Sequence, residues 1–273
     1  MMRQVLGTLL ILIPLYGCQG AIQKAQSAAS SIPLGHYIHS DFDFTFEHFP
    51  RRLCGLPLAA QMNPEGFLAL AAMMIRLPDE QFLLVDKKHH LPENYVPENL
   101  LSINTVEGVF SGRAGLQLEK NAAEALGAMS RAASADGITL IVSSAYRSFE
   151  YQGKLFERYS TIDGEDRAAH CSARPGASQH QLGTTVDFAN ITNSFAEEPG
   201  GIWMMENAGE FGWSQSYPLG MESLTGYMWE SWHWRWIGKE ALRMQNEYFD
   251  GVQQRMLEFW HENAAVIRKA RVD

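Results

Sequence analysis

The chain has 273 residues, 46% of them hydrophobic and 19% charged, which suits one large or two small folded domains and excludes a disordered chain. Its formal charge of −9, with no block of Lys and Arg, excludes a nucleic-acid surface, because phosphate binding needs clustered cations.

The chain opens with Met1-Met-Arg3-Gln and an apolar run from Val5 to Leu15. That run is too short for a bilayer span of about 20 residues, and it has the length of a signal-peptide core. Leu15-Tyr16-Gly17-Cys18 resembles a bacterial lipobox, with Tyr16 bulkier than the residue usual there. Residues 1–18 are therefore expected to be a lipoprotein signal peptide with Cys18 as the lipidated residue. A plain secretory signal is the alternative, and either places the protein outside the cytoplasm. Residues 19–34, rich in Ala, Ser and Gln, read as a tether. Residues 35–80 read as a helical and irregular extension, with a helix over 63–77 opening at Asn63-Pro64.

The main domain is expected over 81–273. Its pattern predicts a helix over 117–135 that stops at Asp136-Gly137, then a strand over 138–142 that delivers Ser143 to Arg147. A helix from Phe149 to Tyr159 follows, capped by Ser148, and Arg174-Pro-Gly176 reads as a turn. Strands are predicted over 184–189 and 226–237, with a helix over 203–211 between them and a helical tail over 239–269. Helices and strands mix without βαβ alternation, so the fold class is α+β, with a small, mainly antiparallel sheet flanked by helices. No repeat is evident, and nothing demands more than a monomer. With Cys18 lipidated, Cys54 and Cys171 remain as a candidate disulfide or as two free thiols.

Two segments carry chemistry. Ser178-Gln-His180-Gln-Leu-Gly183-Thr-Thr-Val-Asp187 and Glu230-Ser-Trp232-His233-Trp-Arg235 together offer two imidazoles, a carboxylate and a spare carboxylate. Three ligands from His, Asp or Glu with an open position suit catalytic zinc, and a further acid beside the open position suits a base. His180 and Asp187 alone read more readily as a structural pair, and the second segment shifts that reading to a metal site. Gly183 and the β-branched residues after it disfavour a helix, so a loop carrying His180 should enter a strand carrying Asp187. In the second segment, alternating Trp232, Trp234 and Trp236 predict a strand whose other face presents His233. Glu230 must then precede the regular strand or sit on a bulge.

The two motifs, with Ser143-Ser-Ala-Tyr-Arg147-Ser and the stretch from Leu83 to Leu100, resemble the VanY-type D-alanyl-D-alanine carboxypeptidases, relatives of VanX-type dipeptidases and some phage endolysins. The resemblance runs from about Phe82 to about Gly238. It implies one zinc ion on His180, Asp187 and His233, with Glu230 as general base and Arg147 polarising the scissile carbonyl. Ser144, Gln152 and Ser178 become expected substrate contacts, and His170 a weaker rival ligand. Peptidoglycan stem peptides become the expected substrate, reached from a lipid anchor in the membrane. Family members often carry Arg where this chain has Ser216. An L,D-carboxypeptidase, an endopeptidase or a non-catalytic wall-binding lipoprotein are the rival functions. Serine peptidase motifs (Ser-x-x-Lys, Gly-x-Ser-x-Gly) and His-Glu-x-x-His are absent.

Overall fold

The computed structural model describes residues 53–269. The expected signal peptide, Cys18, the tether and much of the extension lie outside them. Helix α1 (Pro64–Met74) begins as its sequence suggests, with the Asn63 side chain accepting from Gly66 N at 3.2 Å and Pro64 in the first turn. Strands β1 (Leu100–Ser102), β2 (Phe110–Ser111) and β3 (Gln117–Glu119) follow. The Glu119 carboxylate then caps α2 (Lys120–Ala135), accepting from Asn121 N and Ala122 N. Next come β4 (Ile141–Ser144), α3 (Phe149–Asp163) under its Ser148 cap, and α4 (Glu165–Cys171). Strand β5 (Thr185–Phe188), α5 (Pro199–Asn207), β6 (Trp213–Gln215), β7 (His233–Trp236), α6 (Lys239–Tyr248) and α7 (Gln253–Lys269) complete the order.

Five strands form one sheet in the order β2-β4-β5-β7-β6, antiparallel except for the β2–β4 pair. Strands β1 and β3 form a separate antiparallel pair. The register sets Ser144 opposite Asp187 and Asp187 opposite His233, so three chemical positions lie in one line across the sheet. Alternation then sorts the faces. Val186, Phe188, Trp234 and Trp236 join a core with α2 and α5, while Thr185, Asp187, His233 and Arg235 take the other face. A second core joins α1 to α6 and α7 through Phe67, Met74, Met244, Leu257 and Trp260. Among the described residues, no helix is long and apolar enough to cross a membrane.

Three expectations change. The strand expected over 226–237 is regular only at His233–Trp236, because Glu230 N donates to Tyr217 O and Ser231 N to Asn193 Oδ1, away from the ladder. The helical tail breaks between α6 and α7, where Asp250 and Gly251 take φ of 54° and 71°. The candidate disulfide is not formed: both Cys54 and Cys171 are free. Asn263 of α7 holds both main-chain polar groups of Cys54, whereas the Cys171 thiol donates to Arg167 O at the end of α4, and the two residues line different clefts.

Candidate metal centre

The site is built from strand ends and one tight turn. A 3₁₀ turn over Gln179–Leu182 carries His180 and closes on Gly183, whose φ of 70° is left-handed. Glycine takes that conformation without a Cβ penalty, and here a Cβ would also meet Pro97 Cγ at 3.0 Å and Glu119 N at 3.2 Å. Gly183 O accepts from Glu119 N at 2.7 Å, tying the turn to the start of α2. The chain then enters β5 and presents Asp187 beside His233 of β7.

His180, Asp187 and His233 are all buried, and their ligand-type atoms lie within 4.8 Å of one another. His180 Nε2 stands 3.2 Å from Asp187 Oδ2, and His233 Nδ1 stands 3.2 Å from Asp187 Oδ1. Ligands at about 2.1 Å on a tetrahedral zinc are about 3.4 Å apart, so the spacing fits one small divalent ion. The outer ring nitrogens are already used. His180 Nδ1 donates to Ala145 O at 2.7 Å, and His233 Nε2 faces Gln179 Oε1 at 3.2 Å. Such partners fix each tautomer with its free lone pair turned inward. Although close, His180 Nε2 and Asp187 Oδ1 lack hydrogen-bond partners, orphans that a cation would satisfy.

Electrostatics agree with that use. Burial, with the Arg147 charge next, pushes His180 down to about 4, and burial also lowers His233, so both imidazoles are neutral near pH 7. Burial opposes ionisation of Asp187, but the facing imidazoles and Arg147 outweigh it and hold its carboxyl well below the usual range. Glu230 sits before β7 with Oε2 3.4 Å from His233 Nδ1. Burial, then the Asp187 charge, raises its pKa to about 8, and Arg147 offsets part of this.

Arg147 donates through Nη2 to Asp187 Oδ2 and through Nε to Ser144 Oγ at 2.9 Å. Ser144 therefore orients the guanidinium, and Ser178 lines the same cleft of about 230 Å³. Gln152 stands behind the cleft wall, where its amide donates to Ala173 O at 2.7 Å and Ser172 Oγ at 3.3 Å. His170 is exposed, with Nδ1 on Asp166 O, and is not among the clustered ligands. Ser216 is buried and donates to Gln253 Oε1 at 3.1 Å, so α7 closes that position. Sequence reasoning missed Gln179, Tyr217, whose ring lies 4.7 Å from that of His233, and the cleft residues Arg113 and Tyr227. Gln179 stands inside a motif already singled out, and Tyr217 directly follows Ser216; Arg113 and Tyr227 carry no local pattern.

A buried His–Asp–His cluster with a raised carboxylate and a guanidinium beside it, on one face of a small, mainly antiparallel sheet, defines a metal-dependent hydrolase. The comparisons narrow the class. Residues 115–239 match the family model described as VanY, D-alanyl-D-alanine carboxypeptidase. The carboxypeptidase homologue YodJ of Bacillus subtilis (strain 168) is 34% identical over 194 residues, covering 66% of this chain and 71% of that protein. The LD-carboxypeptidase LdcB, whose structure concerns peptidoglycan recognition, is 30% identical with a TM-score of 0.57, covering 64% of this chain and 84% of that one. A mutant of VanY, a D,D-pentapeptidase from a VanB-type vancomycin resistance cassette, was solved with Zn(II). It is 28% identical with a TM-score of 0.54, covering 66% of this chain and 99% of that one. The chain belongs to the VanY-type carboxypeptidase family.

Proposed function

We propose that this protein is a zinc-dependent D-alanyl-D-alanine carboxypeptidase that trims terminal D-alanine from peptidoglycan stem peptides. One observation carries the reading: Glu230 is held 3.4 Å from His233 Nδ1, at the open side of three buried ligands that include two neutral imidazoles. His180, Asp187 and His233 would hold the ion. Bound zinc supplies Lewis-acid polarisation of the scissile carbonyl and acidifies the attacking water. Glu230 takes a proton from that water and passes it to the leaving amine; its raised pKa suits the second transfer. Arg147, steadied by Ser144 and Asp187, stabilises the developing oxyanion. Ser178 supplies a polar contact in the cleft, and Gln152 holds its wall. The protein works as a monomer outside the cytoplasm, anchored through lipid on Cys18.

The likeness to LdcB favours a second reading, an L,D-carboxypeptidase that removes D-alanine from the tetrapeptide. Both readings are tested by incubating the zinc-loaded protein with stem pentapeptide and tetrapeptide and following products by mass spectrometry. Loss of D-alanine from the pentapeptide alone is expected, with Glu230→Ala inactive yet still binding zinc. Loss from the tetrapeptide would move the assignment to the L,D class. Two intact peptides with zinc firmly bound would leave a wall-binding role.

A further inference from the structure

Two guanidinium groups line the cleft, and they are in different situations. That of Arg147 is engaged by Asp187 and Ser144. Arg113 is exposed, and among the described residues its side chain makes no ion pair or hydrogen bond. Its position follows from the sheet. Ser111 of β2 pairs with Val142 of β4, and Gly112 N donates to Val142 O at 2.9 Å. Arg113 follows in the bend just past β2 and lines the cleft together with Ser144, Asp187 and His233.

Peptide chemistry then names a ligand. If the protein is a carboxypeptidase, on which this inference rests, its substrate ends in a free carboxylate three bonds from the scissile carbonyl carbon, about 4 Å away. Arg147 is already held by Asp187. We propose that Arg113 binds the free C-terminal carboxylate of the substrate and thereby makes the cleft select chain ends over internal peptide bonds. A guanidinium suits this role because its planar fork matches a carboxylate with two parallel hydrogen bonds.

The test uses an N-acetylated peptide ending in D-Ala-D-Ala and the same peptide with a C-terminal amide. Each is assayed with the zinc-loaded protein and its Arg113→Ala and Arg113→Lys variants. Arg113→Ala should lower kcat/KM on the acid by about 10–100-fold, the worth of a charge-assisted hydrogen bond. The loss should fall mainly in KM, with little change on the amide, so the preference for acid over amide collapses. Arg113→Lys should restore part of it. An unchanged acid-to-amide ratio in Arg113→Ala would overturn the proposal. Calorimetric binding of both peptides is measured in parallel, with and without Arg113→Ala, on zinc-loaded Glu230→Gln protein. If no peptide is cleaved but acid binding still depends on Arg113, the carboxylate site stands and the carboxypeptidase reading fails. Equal binding of acid and amide by the protein with Arg113 intact would sink the site itself.

Discussion

Glu230 sits in surroundings far from those in water. Burial and the neighbouring Asp187 charge both oppose its ionisation, and its pKa rises from 4.5 to about 8. The sign for stability follows from proton binding. Between pH 4.5 and 8 the folded protein holds a proton on this carboxyl that the unfolded chain has released, so stability falls as pH rises through that window. Glutamine cannot ionise and escapes the loss. In chelator, the Tm advantage of Glu230→Gln over the unsubstituted protein should therefore grow from about pH 4.5 to about 8 and level off above. Zinc on the adjoining triad would favour the carboxylate, so the advantage should shrink in the loaded protein. Thermal unfolding across pH, with and without chelator, measures both. A difference that stays flat with pH in chelator would mean that Glu230 is ionised throughout.

The turn that carries His180 shows how elements hold the site. Its αL residue, Gly183, is fixed between Pro97, Leu100 and the start of α2. Gly183→Ala adds about 1–2 kcal/mol of left-handed strain, and the added methyl also needs its neighbours to move. Because the turn feeds both His180 and β5, zinc affinity should fall along with stability, measured by chelator competition and denaturant unfolding; unchanged affinity would show that the turn does not position the ligand. This element was legible in the sequence because Gly183 and the β-branched residues after it rule out a helix. The strand bearing His233 was legible through its alternating Trp residues, and Glu230 does precede it. The break between α6 and α7 was not, since both halves are strongly helical and only Asp250-Gly251 marks the turn. Nor was Arg113: its place depends on the parallel β2–β4 pairing, a contact between distant segments that no local pattern encodes.

At the scale of the molecule, stability and chemistry rest on different cores. The sheet with α2 and α5 supports the metal ligands, while α1 packs on α6 and α7 in a second cluster that includes Ile237, just past β7. Phe67 stands at the centre of that second core, 2% exposed, with edge-to-face contacts to Tyr248 at 5.2 Å and Phe259 at 5.6 Å. Phe67→Ala leaves a cavity that three rigid helices cannot close, which costs about 3–5 kcal/mol. Polar bonds run from that core to the site: Ser214 donates to Gln245 of α6 and Ser216 to Gln253 of α7, just before Tyr217 packs on His233. Those bonds depend on where α6 and α7 sit, and a Phe67 cavity leaves their own contacts with β6 in place. The folded variant should therefore bind zinc within about threefold of the unsubstituted protein, a difference of under 1 kcal/mol, while its urea midpoint drops sharply. Zinc affinity that falls in step with stability would show instead that the helical core and the sheet are one cooperative unit, with α7 acting directly on the metal centre through Ser216.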